Sequence, residues 1–159
     1  MNTLRTSLSL KGRALRYLSM REHSRIELRQ KLQPHASTPE ELDQLLVDLE
    51  AGGWLSDTRY VASVVHRKAA RFGAARLQNE LSRHQLPKEL LQATVGELRE
   101  TEFDRALALW RKRYGQAGLT AAEQAKQARF LAGRGFSGDT IRQVLRQAGS
   151  PDTPDTQDD

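Results

Sequence analysis

Residues 131 to 141, LAGRGFSGDTI, carry Gly133, Gly135 and Gly138 in the spacing G-x-G-x-x-G, running into a helix start. In a strand-to-helix turn that spacing cradles the pyrophosphate of a dinucleotide on backbone N–H groups. The context argues against it here. The run before it, EQAKQARFLA, is helical in pattern with no β-branched residue, and the position about 20 residues on, where a ribose-binding acid belongs, falls in a polar tail. A P-loop fails too, because no Lys-Ser or Lys-Thr follows a glycine at the required spacing. Helix punctuation accounts for the same residues: Gly133 or Gly135 ends one helix in the left-handed conformation, and Ser137 caps the next. Phe136 then staples to Ile141, and Asp139 meets the positive first turn. Arg134 alone is left without a structural task.

The other reactive side chains form no catalytic set. His23, His35, His66 and His84 include no pair at i, i+3 or i+4, and no acid completes a ligand set, so they are expected at the surface or at helix ends. Acid pairs such as Glu40-Glu41 suit helix first turns. Of the aromatics, Tyr17, Tyr60 and Trp110 fit core positions, and nothing resembles a base-stacking platform. No cofactor or metal is expected, and no enzyme.

Arginine remains. Arg21, Arg25 and Arg29 are four apart and share one face of a helix or its approach; Lys68, Arg71 and Arg76, with Arg67, follow later, and then Lys126, Arg129 and Arg134. The acids lie in other segments, so few i, i+4 carboxylates are expected to neutralise these arginines. Residues 1 to 34 hold eight Lys or Arg against Glu22 and Glu27, whereas residues 35 to 58 hold six acids and neither Lys nor Arg. A basic face that meets a polyanion or an acidic protein surface is the expectation.

The elements that position these groups are helices. Ser24-x-x-Glu27, Thr38-Pro39-x-Glu41 and Thr120-x-x-Glu123 read as capping boxes, and Gly52-Gly53 before Ser56 reads as a stop and a start. The spacing predicts helices over 10–20, 24–33, 39–51, 57–70, 74–84, 88–99, 102–114, 121–133 and 138–147. A repeat frame runs through them. Leu32, Leu81 and Leu131 are equivalent, followed six residues later by Thr38, Pro87 and Ser137 and ten later by Leu42, Leu91 and Ile141. Leu46, Val95 and Leu145 complete the stripe, while Leu28 and Leu77 meet Gln127 in the third copy. The fold expected is all-α: three tandem three-helix repeats in an elongated, curved array. Its limits are a flexible arm over 1–9, repeats over 10–56, 57–100 and 101–149, and a disordered acidic tail over 150–159.

Composition agrees. Aromatics make up 6% of the 159 residues and charged side chains 28%, at a net charge of +5, and there is no cysteine. That excludes disulfides, thiolate metal sites and a cysteine nucleophile together. Arg5, Lys11, Arg13 and Arg16 interrupt any apolar leader, so the chain is expected in the cytoplasm and off the membrane, and an end-capped array is expected to be a monomer.

Four motifs together closely resemble the RecX family of recombination regulators. They are Arg21-Glu-His-Ser-Arg-Ile-Glu-Leu28 with Lys31-Leu32, Gly53-Trp-Leu-Ser-Asp57-x-x-Tyr60, Arg71-Phe-Gly73 with Glu80-Leu81, and Arg129-Phe-Leu131-x-x-Arg134-Gly-Phe-Ser137. The resemblance spans about residues 10 to 147. It implies a non-enzymatic protein that lodges along the groove of the RecA filament on single-stranded DNA, limits its extension, and restrains strand exchange, ATP hydrolysis and co-protease activity. Weak direct DNA binding is a further trait it implies, and a DNA-binding repeat module is the alternative. The motifs point to Arg21, Arg25, Arg71, Arg129 and Arg134 as contact residues. Gln85 stands where the family commonly has Gly, and the loop from Tyr114 to Thr120 is long.

Overall fold

The computed structural model describes residues 7–150, so the acidic tail from residue 151 and the first six residues of the expected arm lie outside it. Within that range the chain is all-helical. The order is α1 (Leu10–Met20), α2 (Arg25–Leu32) with a 3-10 turn (Gln33–His35), α3 (Pro39–Ala51), α4 (Asp57–Lys68), α5 (Ala74–Ser82), α6 (Lys88–Glu100), α7 (Glu102–Arg113), α8 (Ala121–Gly133) and α9 (Gly138–Ala148). No described helix is long and apolar enough to cross a membrane.

Six of the nine described α-helices start on an N-cap side chain that satisfies an orphan N–H group. Ser24 and Thr120 each accept from the N–H three residues on, and Glu27 and Glu123 reach back to complete full capping boxes. Thr38 makes only half of one: it accepts from the Glu41 N–H, while the Glu41 carboxylate takes the Ser37 N–H instead. Ser9, Ser56 and Ser137 cap α1, α4 and α9 in the same way.

The repeat frame is visible in the packing. Leu32, Leu81 and Leu131 are all fully buried, and Thr38, Pro87 and Ser137 are the caps of α3, α6 and α9. The copy that departs from the pattern has a reason. Gln127, buried where the other units have Leu28 and Leu77, accepts from the Trp110 indole N–H at 3.0 Å and donates to the Gln116 carbonyl at 3.1 Å. A leucine there would strand a buried N–H, at about 1–3 kcal/mol. Apolar clusters stay within each helix triplet: Ala14 to Leu55 in α1–α3, Tyr60 to Leu98 in α4–α6, and Ala106 to Val144 in α7–α9. Extensive helix contacts likewise join helices of one triplet or, at α6 and α7, neighbours in sequence. The result is an array of three-helix repeats, each with its own small core.

Candidate partner-binding surface

The arginines divide into two populations: i, i+4 carboxylates are indeed few, but the fold supplies distant ones to some of them. In α1–α3, Arg21 donates to Glu27 at 2.6 Å, Arg25 to Glu50 at 2.5 Å, and Arg29 to Asp43. Glu50 and Asp43 come from the acidic helix α3, which is distant in sequence but packs against α2. Lys68 is likewise spent on Glu80, twelve residues on. Only folding brings these partners together, so i, i+4 spacing does not reveal them.

Arg71, Arg76 and Arg134 are different. Among the described residues none of them meets a carboxylate; each is held against an aromatic ring. Around Phe72 the Arg76 guanidinium carbon stands 4.1 Å from the ring centroid, Arg71 5.4 Å and Arg134 5.5 Å. Arg134 also lies 5.3 Å from Phe130, as does Arg113 from α7 on that same ring. Phe72 sits in the α4–α5 loop and Phe130 on α8, so two rings and four guanidiniums form one cage across the second joint of the array. The sequence shows no aromatic platform for bases, and these rings carry cations instead, each such pair contributing about 0.5–1 kcal/mol when exposed. Arg113 escapes the sequence pattern, since only its approach to Phe130 distinguishes it in the run Arg111-Lys-Arg113. Lys126 and Arg129 are exposed on α8, Lys126 one turn before Phe130.

Glycines and a buried acid hold the cage in place. Gly135 takes φ +85°, which answers the question of the glycine string: it is the left-handed stop of α8, whereas Gly133 is its last helical residue. The Arg134 carbonyl accepts the Gly73 N–H at 2.7 Å, and a Cβ on Gly73 would run into the Gly135 backbone. Arg134 therefore has structural work after all, through its carbonyl and its ring contacts. Below, Glu102 of α7 is 5% exposed; it accepts the Ala74 N–H at 2.9 Å and the Thr140 hydroxyl at 2.6 Å, tying α5 to α9. Burial alone pushes its carboxyl up, but those hydrogen bonds outweigh burial and hold it below the ordinary value. Arg105 shows what a structural arginine looks like. It donates to Thr101 Oγ1 and to the carbonyls of Ala69, Phe72 and Leu98, all at 2.6–3.0 Å.

The first joint is built of side chains. His84 lies 2.7 Å from Ser24 Oγ and 3.1 Å from the Tyr60 hydroxyl, and Arg59 donates to Glu22 at 2.9 Å. Burial, then the charge and hydrogen bond of Glu27, push the Tyr60 phenol well above its usual range. Glu27 itself is raised by burial but lowered further by the Arg21 guanidinium. His23, expected at the surface or at a helix end, lies at the helix end just before the Ser24 cap of α2 and is buried at 1% exposure. Its Nδ1 contacts the Arg21 carbonyl at 3.0 Å and its Nε2 takes the Lys31 ammonium at 2.8 Å. Burial first, then the Arg21 and Lys31 charges, depress its pKa against the raising backbone bond. Among the described residues no three His, Asp or Glu side chains gather as a metal cage.

Known proteins match this architecture. Residues 11–48 match the RecX first three-helix domain and residues 100–145 the RecX third three-helix domain. Regulatory protein RecX of Leptothrix cholodnii is 56% identical over 144 residues, 91% of this chain and 92% of that protein; its namesake from Ralstonia pickettii is 52% identical over 91% of each chain. The crystal structure of RecX from Lactobacillus salivarius superposes with a TM-score of 0.72 over 87% of this chain and 94% of the other, at 19% identity, a likeness of fold. The chain belongs to the RecX family of regulatory proteins.

Proposed function

We propose that this chain binds the RecA filament assembled on single-stranded DNA, lies along its groove across several protomers, and lowers filament extension, strand exchange, ATP hydrolysis and co-protease activity. It acts by occupancy, as a monomer with no cofactor and no chemistry of its own. Family membership supports the partner, and one observation carries the surface: the guanidiniums of Arg71, Arg76 and Arg134 have no carboxylate partner among the described residues, while those of Arg21, Arg25 and Arg29 do. The second joint is thus a face with clustered charge to offer a partner, extended by Lys126 and Arg129 on α8. Arg21, Arg25, Arg29 and Lys68 serve that face indirectly, by bracing their own units, taken as 10–56 and 57–100 with 101–149 as the third.

Co-sedimentation tests this. At one salt concentration the chain should pellet with RecA-coated single-stranded DNA at lower concentration than it is retained by naked DNA. Equal retention on both would favour the alternative, a DNA-binding repeat module.

A further inference from the structure

We infer that the cage on Phe72 and Phe130 is a phosphodiester site, which grips the backbone of a nucleic-acid single strand without reading its bases. The inference rests on the filament reading only for where the strand is met, and its chemistry stands on the donors left over. A guanidinium carries five N–H donors. Arg105 has committed its edges to four oxygen acceptors, and Arg25 and Arg29 each give one N–H to a carboxylate, Glu50 and Asp43, that pairs their charge. Among the described residues the only side-chain bond made by the four cage arginines is from Arg76 to the Gly133 carbonyl at 3.2 Å.

Stacking on a ring covers the flat face of a guanidinium and leaves its edge free, the edge that forks onto two oxygens of a phosphate. Three guanidiniums within 5.5 Å of one centroid gather more positive charge than a single carboxylate neutralises. Arg134 reaches both rings, so the cage offers two linked clusters, suited to successive phosphates of one strand. Because arginines already stand over both rings, base stacking on them is not expected. Binding should therefore be sequence-independent and dominated by salt.

The test is a titration of fluorescein-labelled oligo-dT, of a mixed-sequence DNA and of oligo-rU, followed by anisotropy across a salt series. Wild type should bind all three alike, apart from differences of sugar. The pair Arg76→Gln and Arg134→Gln should weaken binding roughly tenfold and reduce the log–log salt slope by about 1.4, at ~0.7 for each phosphate no longer neutralised. Arg76→Lys with Arg134→Lys should keep the slope yet lose several-fold in affinity, since lysine neither stacks nor forks. Arg113→Gln, which leaves the joint backbone untouched, serves as a second variant, and unchanged helical circular dichroism certifies each protein. Lys11→Gln with Arg16→Gln removes the same charge from α1 and should leave slope and affinity as they were. An equal loss in that control, full affinity in the lysine pair, or no effect of the glutamine pair overturns the assignment. If the glutamine pair binds oligonucleotide normally but no longer acts on RecA filaments, the cage meets protein carboxylates, and the phosphodiester site falls while the filament reading stands. If oligonucleotide binding depends on the cage but wild type leaves filaments untouched, the reverse holds.

Discussion

The two joints of the array are built from different materials. Between the first and second triplets side chains make the contacts: Ser24 on His84, and Arg59 on the Gly53 carbonyl and on Glu22, the Glu22 and Arg59 side chains being 29% and 48% exposed. Between the second and third, backbone meets backbone, as Gly73 donates to the Arg134 carbonyl, and Glu102 locks the neighbouring helix starts from 5% exposure. Contacts of the first sort yield to salt and exchange partners; contacts of the second sort hold geometry. It is the second joint that carries the ring-held cluster of arginines with no carboxylate partner among the described residues. A cluster of like charges needs a stiff frame to persist, and here the frame and the charge sit together.

The sharpest way to break the comparison is Gly135→Ala. At φ +85° with Arg76 Cβ in its path, an added methyl should cost about 2–3 kcal/mol, seen as a fall in the urea midpoint. Glu102→Ala should come next, at about 2 kcal/mol, since it leaves the buried Thr140 hydroxyl and the Ala74 N–H without their acceptor. Arg59→Ala, at the first joint, should cost less than about 1 kcal/mol, and the loss should shrink further in high salt. Were Arg59→Ala to cost more than Glu102→Ala, the contrast between the joints would be wrong.

Acid should also find the first triplet before the third. The folded pKa of His23 lies below its ordinary 6.5, so its contribution is full above about pH 6.5 and is lost as pH falls from there toward the folded value. Glu27 and Glu102 are depressed carboxyls, whose contributions persist until pH falls below about 4.5. The unfolding midpoint should therefore decline below pH 6.5, and His23→Asn should flatten that decline; an unchanged profile would separate His23 from the acid response. The smallest effect expected is a gain. Gln85, at φ 50°, is the one non-glycine left-handed residue among those described, and Gln85→Gly should stabilise by about 0.5 kcal/mol, read as a rise of a few degrees in Tm.

Much of this is legible in the sequence. Capping signals place the helix starts, because caps are local chemistry, and leucine spacing places the repeats, because each unit buries the same stripe. What escapes is tertiary. Nothing local says that Arg25 and Arg29 reach Glu50 and Asp43 on another helix, that His23 is buried under Lys31, or that Phe72 and Phe130 converge from separate units to hold arginines. The glycine string is punctuation, as its helical context indicates, yet the carbonyl of Arg134, the residue with no task visible in the sequence, carries the joint.

The most direct measurement is the DNA-dependent ATPase of preformed RecA filaments, with the chain added substoichiometrically. The rate should fall with wild type and fall much less with the Arg76→Gln and Arg134→Gln pair. An unchanged rate at saturating wild-type protein would contradict the assignment of this chain to the filament.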